Sequence, residues 1–483
     1  MSRIVAGPFN RVEGDLEIAL DIQNGKVDSA EVNSTLYRGF EQIMLGKAPL
    51  DALVYTPRIC GICSVTQSVA AARTLADCMG IEMPRNGQLA TNLILANENM
   101  TDLLTHFYLF FMPDFARDLY ADKPWFAEIS NRFKATSGSA TAVMLPARAA
   151  FLHLMGLMAG KWPHTLTIQP DGSARAIDRA ERIRVVTIIS AFRKFLESEL
   201  FGDNLDTINS LSSIDELNAW QASKSWDHSD FTRFLHISEE LELHKLGKGP
   251  GNFLSYGAYP LTEGHLFAPG QLIKGKRTDV TISAVTEDHA HSWLTPLSAP
   301  VNPMQGETTP DLDNDNAYSW CKSPRLDNHV METGAIARQM LNRNPLIEAL
   351  VAANGANVHS RIVARLLELA SVIPAMQTWA KAIDPSAPFR HETKLPDSAR
   401  GIGLVEAARG SLGHWIEIKK GKISQYQIVA PTSWNFSPRD SFGIPGALEQ
   451  ALEGAPVRPG ETEPVAVQHI VRSFDPCMAC TVH

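Results

Sequence analysis

Hydrophobic and polar positions alternate early in the chain. Leu16, Ile18, Leu20 and Ile22 share one face of an extended run, with Glu17, Ala19 and Asp21 on the other. Asn24-Gly25 then precedes a second extended stretch through Val27 and Val32, a pattern that predicts a β-hairpin with Glu13 at its entrance. From Val65 to Met79 the period lengthens: Val65, Val69, Ala72 and Leu75 recur at helical spacing among small residues until Gly80. Small residues predict a helix packed closely on its neighbours. Leu89, Leu93, Ala96, Met100, Leu103, Phe107 and Phe110 follow at spacings of three and four, a buried stripe on a longer helix that Pro113 should end. Helical periodicity returns from about Asp178 to Glu199, through Ile183, Val186, Ile188, Phe192 and Phe195, and from about Ala335 to Ala382.

Long apolar helices of this kind make a central bundle. Residues 201–333 differ: Gly, Pro, Asp and Ser surround short β-rich runs such as TDVTISAVTED, which predicts loops and a small sheet lobe. WIEIKKGKISQYQIV, from Trp415, reads as a second hairpin. The expected class is α+β, predominantly helical, with a central long-helix bundle, peripheral β-hairpins and a small sheet lobe. One structural unit over 1–483 is expected, with a hairpin region at 1–60, a helical core at 61–200 and 335–385, a loop and β lobe at 201–333, and a β and metal-binding region at 401–483.

Composition narrows the function. With 44% hydrophobic and 20% charged residues and a mean hydropathy of -0.10, the chain has the make-up of an ordinary globular protein. No run approaches ~18 uninterrupted apolar residues, and MSRIVAGPFNRVEGD lacks the hydrophobic run of a signal peptide. A cytoplasmic protein is the expectation. The net charge of -9, without a dense basic stripe, gives no reason to bind nucleic acid or an anionic membrane surface.

The chemistry lies in the cysteines. Cys60-Gly61-Ile62-Cys63 and Cys477-Met478-Ala479-Cys480 form two CxxC pairs near opposite ends of the chain. Thiolates select zinc, nickel and iron, and two pairs supply four sulfurs to one site. Structural zinc is the ordinary reading, but almost the whole chain separates these pairs, which suits a metal at the centre of a large fold. Six cysteines in 483 residues are too few for a disulfide framework. Cys78 and Cys321 lack partners at ligand spacing and read as buried reduced thiols.

Arg58-Ile59-Cys60-Gly61-Ile62-Cys63 and Asp475-Pro476-Cys477-Met478-Ala479-Cys480-Thr481-Val482-His483 resemble the paired signatures of nickel-iron hydrogenase large subunits. RVEGD at 11–15, RGFE at 38–41, GKWPH at 160–164, YSWCKSPR at 318–325, EAARGSLGHW at 406–415 and APTSWNFSPRD at 430–440 extend the likeness over nearly the whole chain. The resemblance implies heterolytic cleavage of dihydrogen at a nickel-iron centre. Cys60 and Cys477 would be terminal nickel ligands, and Cys63 and Cys480 would bridge to an iron carrying cyanide and carbon monoxide. It assigns Glu13 to proton transfer, Arg409 to a place above the metals, and Thr432, after Pro431, to a hydrogen bond with cyanide. Asp102 and Asp475 would hold the arginine. Glu41 and the terminal His483 would bind magnesium together with a backbone carbonyl and waters. Electrons would pass to iron-sulfur clusters on a small subunit, since only Cys78 and Cys321 remain in this chain. Maturation proteins would load the metals.

Several positions depart from the family pattern. Gln67 stands where most members have His, Asp15 replaces the His of EGH, Ala408 replaces a Pro, and Ile62 and Phe110 replace Val and Leu. Ile62, Phe110 and Gln67, with a chain that stops at His483, resemble the regulatory, hydrogen-sensing branch, in which the bulkier pair narrows the gas path. That likeness implies low turnover, oxygen tolerance and signalling to a sensor histidine kinase. The alternatives are an energy-yielding uptake hydrogenase and, from another class, a zinc-stabilised scaffold without enzymatic activity.

Overall fold

The computed structural model describes residues 2–481. The predicted hairpin is present: β2 (Leu16–Gln23) pairs antiparallel with β3 (Lys26–Ser34), and β1 (Ser2–Ala6) adds a third strand that the pattern did not announce. Asn24 and Gly25 both have positive φ, 52° and 71°, as a tight two-residue turn between twisted strands requires. Leu16, Ile18 and Leu20 are buried.

Helix α1 (Ser64–Met79) ends where Gly80 adopts φ 62° and returns its N–H to Ala76 and Asp77. It lies on β4 (Ala399–Ala407), which forms an antiparallel sheet with β5 (Gly410–Lys419) and β6 (Lys422–Val429). A Cβ on Gly403 would lie 2.1 Å from Ala70 O, so helix and strand can touch only because both carry small residues there.

Helix α2 (Arg85–Thr105) buries Leu89, Leu93, Ala96, Met100 and Leu103 as predicted. Phe110 departs from the stripe. The helix passes into a π turn, His106–Phe111, whose wider winding shifts the register by a residue. Phe107 stays buried, but Phe111 takes the inward place, stacked on His106 and edge-on to Phe115 and Phe234, while Phe110 is half-buried. Pro113 follows in a 3₁₀ turn, Met112–Ala116.

Helices α3 (Ser139–Ala159), α4 (Arg179–Phe195) and α5 (Val358–Ala382) complete a ring in which α2 packs on α3, α3 on α4, α4 on α5 and α5 on α2. By length and composition α3 is the one described helix long and apolar enough to cross a membrane; it carries Arg148 and Pro146 at its middle. Helix α4 starts at Asp178, whose carboxylate accepts the Glu181 N–H. Its inward stripe is Val185, Ile189 and Phe192. Ile183 is 64% exposed, because two residues before Val185 it falls on the opposite face of the helix. The periodic stretch from Ala335 to Ala382 is three helices, Ala335–Leu341, Pro345–Asn354 and α5, with Asn342 and Gly355 following the first two.

The region 201–333 corrects the sequence reading in its first part. Helices Leu205–Ser210, Ile214–Ala222 and Asp230–Glu240 occupy it, and the side chains of Asn204, Ser213 and Ser229 accept the N–H groups of Thr207, Glu216 and Thr232. Those polar residues are helix caps rather than loop filler. Short antiparallel strands begin only at Phe253.

Helix α6 (Val465–Phe474) leads into Asp475. There the ends of the chain meet: Met478 N–H donates to Glu13 O at 2.7 Å, and Glu13 N–H to Pro476 O at 3.4 Å. Gly14, at φ 79°, permits this approach, since a Cβ would lie 3.0 Å from Ala479 N.

Candidate metal centre

Cys60, Cys63, Cys477 and Cys480 converge, with all four sulfurs within 4.8 Å of one another and all four residues buried. Cys63 and Cys480 Sγ are 3.2 Å apart, Cys477 and Cys480 3.0 Å, Cys477 and Cys60 3.6 Å. A disulfide needs about 2.05 Å, whereas ligands at about 2.3 Å around one tetrahedral ion lie roughly 3.8 Å apart. Four free thiols crowded to this degree fit a soft metal. Hydrogen bonds from Cys477, Cys480 and Cys63 hold the Cys60 thiol below its ordinary range.

Local structure sets the sulfurs. Cys63 caps α1, and the helix's first free N–H groups are satisfied from outside: the Glu98 carboxylate accepts Val65 N–H and Thr66 N–H, both at 2.9 Å, and Trp162 Nε1–H at 2.8 Å. Burial pushes Glu98 up to about 8. On the other side Thr432 Oγ1 accepts Cys477 N–H at 3.1 Å, which leaves its own O–H to donate. Pro431 opens the short helix Pro431–Asn435 that carries it.

Arg409 is buried against three acceptors. Nε donates to Asp475 O and Nη2 to Asp475 Oδ1, each at 3.0 Å, and Nη1 pairs with Asp102. Arg365 Nη1 also donates to Asp475 Oδ2 at 3.0 Å. Burial pushes Asp102 up to about 7 against the pull of Arg409. At Asp475 burial acts the same way, but Arg409, His106 and Arg365 outweigh it and hold the carboxyl below its ordinary range. Among the described residues Asp102 Oδ1 has no hydrogen-bond partner, an orphaned buried acceptor beside the guanidinium. Arg338 fixes the turn itself, donating to Ala407 O and Ala408 O while pairing with Glu368 and Glu406.

Glu13 is half-buried, and burial first and the Cys60 charge second raise its pKa, with Arg409 and Arg38 opposing. A carboxyl that holds a proton more readily than usual beside a thiolate can exchange that proton with it.

Glu41, also buried, accepts Lys322 Nζ at 2.9 and 3.1 Å and Ile428 N–H at 2.8 Å, and pairs with Thr308 Oγ1. Gln427 Oε1 and Glu287 surround the same ammonium. The donor set is oxygen-rich and suits a hard cation such as magnesium, with Lys322 already balancing part of its charge. His483 lies outside the described residues.

Sequence reasoning missed Glu98, Arg338 and Arg365. Each left a trace: a charged residue at an inward position of an apolar helix. Cys321 is a buried thiol as expected, and Cys78 is half-buried; burial pushes them up to about 12 and about 11.

A single fold that closes its two ends around four buried thiolates, with an arginine and a carboxylate beside them, defines a metalloprotein with its metal at the core. The chain belongs to the nickel-dependent hydrogenase family, whose model matches residues 38–135 and 142–483, and it is a large subunit of that enzyme class, an oxidoreductase. It is 30% identical to the periplasmic NiFeSe hydrogenase large subunit of Desulfomicrobium baculatum, over 100% of this chain and 95% of that one. With the hydrogenase-2 large chain of Escherichia coli K12 it shares 28% identity over 100% and 97%. The solved Ni-Fe-Se hydrogenase of D. vulgaris Hildenborough in the reduced state superposes with a TM-score of 0.84 at 29% identity, covering both chains fully. Selenium is in the names of the Desulfomicrobium baculatum and D. vulgaris proteins; the four positions here are cysteines.

Proposed function

We propose that Cys60, Cys63, Cys477 and Cys480 hold a nickel-iron centre with cyanide and carbon monoxide on iron, and that dihydrogen is cleaved there heterolytically. The convergence of the four sulfurs carries this reading. The centre, when bound, supplies the open coordination position for the gas. The chain's own residues do the rest. Glu13 takes the proton from the thiolate side and passes it outward. Arg409, held by Asp102 and Asp475, keeps a fixed positive charge over the sulfurs, and Thr432 O–H is free to donate to a cyanide nitrogen. Electrons leave to iron-sulfur clusters on a small subunit, maturation proteins insert the metals, and Glu41 with His483 binds magnesium. The test is Glu13→Gln: an amide cannot relay a proton at neutral pH, so exchange between deuterium gas and water should stop while the metals stay bound. Exchange at the parent rate would contradict the relay.

Within this activity the chain is read as a cytoplasmic, hydrogen-sensing member, of low turnover and oxygen tolerant, that signals to a sensor histidine kinase. Ile62 supports this reading, since it stands half-buried in the loop between two of the four cysteines, where an added methylene narrows access. Gln67 supports it as well, buried in a hydrogen bond with His414. An uptake hydrogenase is the second reading; the relatives named uptake hydrogenase large subunit, from Azotobacter chroococcum and Rhodobacter capsulatus among others, favour it.

A further inference from the structure

Asp114 is fully buried in the 3₁₀ turn behind α2, and nothing in the proposed reaction uses it. Its Oδ2 accepts Arg472 Nη1 at 2.6 Å and lies 3.3 Å from His469 Nδ1; its Oδ1 pairs with Arg11 and lies 4.0 Å from Arg117. Arg472 reaches further, donating through Nη2 to Asn10 O at 2.9 Å and Asn10 Oδ1 at 2.8 Å. Burial acts to raise the Asp114 pKa, but Arg472, His469 and Arg11 hold it below the ordinary carboxylate range, so the hub stays charged.

These contacts join two particular places. Asn10 and Arg11 lie just before Glu13, and His469 and Arg472 lie on the helix just before Cys477. The segment from Gly7 to Asp15 carries only isolated pairing, with positive φ at Gly7, Arg11 and Gly14. Its register against the segment Pro476–Met478 rests on two backbone hydrogen bonds, one of them 3.4 Å long. Two bonds of that kind cannot by themselves fix a carboxyl to the tolerance that proton transfer needs, about 2.6–3.2 Å between heavy atoms. The bidentate grip of Arg472 on Asn10 and the Arg11 pair supply the missing constraint from a single anchor.

We propose that Asp114 is a positioning residue for proton transfer, holding the Asn10-Arg11 segment against helix α6 so that Glu13 stays within reach of the site sulfurs. This rests on Glu13 being the relay, so the experiment keeps the two claims apart. Arg11→Gln, Asp114→Asn and Glu13→Gln are compared in the metal-loaded complex with the small subunit. Four quantities are measured: deuterium gas exchange with water, the solvent isotope effect on hydrogen oxidation, the infrared bands of the metal ligands, and amide hydrogen exchange in residues 10–15 and 475–481.

Arg11→Gln cuts the direct tie from Asp114 to the Glu13 side while Arg472 and His469 stay on Asp114 and Arg472 stays on Asn10, so that direct arm is read even where Asp114→Asn fails to fold. Misplacement on the scale of 1 Å at a reacting group costs up to about a hundredfold. Gas exchange in Arg11→Gln should therefore fall about tenfold or more and the solvent isotope effect should rise. Infrared bands should be unchanged, and the Met478 amide should exchange faster. Parent-like gas exchange and isotope effect in Arg11→Gln would overturn the inference, as would loss of its infrared bands, which would make the contact one of site assembly. Exchange lost in Glu13→Gln but kept in Arg11→Gln would sink this inference alone; exchange kept in Glu13→Gln would sink the relay and this inference with it.

Discussion

Gln67 and His414 share a buried hydrogen bond of 2.8 Å between Oε1 and Nε2. With the amide oxygen accepting, Nε2 carries the proton, and Nδ1, 2.8 Å from the Tyr426 oxygen, accepts that hydroxyl. Gln67 N–H donates in turn to Cys63 O at 3.1 Å. The bond to His414 ties the first turn of α1 to the sheet beneath it. Gln67→Leu removes the acceptor inside a packed interior, and should cost ~1–3 kcal/mol in chemical denaturation. A change within a few tenths of a kcal/mol would mean the bond is dispensable.

Glu98 gives a pH signature. Its folded-state pKa of about 8 lies above the usual carboxyl range of about 4.3. The folded chain therefore keeps a proton that the unfolded chain releases. The stability this contributes is complete below the unfolded value and is lost as pH rises through about 8. Glu98→Gln mimics the protonated form, so the unfolding free energy of variant minus parent should increase between about pH 5 and pH 8. A difference independent of pH would contradict the assignment.

Arg409 makes three directed contacts through a planar fork, and Lys has a single ammonium on a longer-ranging stem. Arg409→Lys should retain the metals and lose about a hundredfold in hydrogen/deuterium exchange per nickel, the scale seen when one preorganised donor is removed. Parent-like exchange would show that any buried cation serves.

The sensor reading turns on Ile62 and Phe110. Interiors register a change of one methylene, so if these side chains obstruct the gas route, Ile62→Val with Phe110→Leu should split hydrogen in the absence of air and lose activity after an oxygen pulse that the parent survives. Truncation costs ~1–3 kcal/mol, which a parallel thermal unfolding curve would reveal. Equal tolerance in parent and variant would favour the uptake enzyme. The π turn sharpens this test, because Phe111 rather than Phe110 fills the inward place, and Phe110 is freer to line a passage than a core stripe would allow.

What could be read from the sequence was local. The hairpin at 16–32 and helix α1 announce themselves because their period, their turn residues and Gly80 agree. The helices of 205–240 did not, because Asn204, Ser213 and Ser229 look alike as loop residues and as caps until the backbone shows which they are. A π turn leaves no mark in the period before it, so the helical spacing points to Phe110 where the structure puts Phe111. Spacing alone could not say that Cys63 and Cys480, 417 positions apart, would touch; family motifs pointed there. The buried ions Asp114, Arg338 and Arg365 find partners across the fold that no window of sequence contains.

The central claim is that the four convergent sulfurs hold nickel and iron. Metal analysis of the purified, matured protein, taken together with its infrared spectrum, tests it most directly. Nickel and iron in equal amounts, with sharp bands from metal-bound carbon monoxide and cyanide where protein does not absorb, is the predicted result. Stoichiometric zinc with no nickel and no such bands would contradict it and leave the thiolates as a structural zinc site.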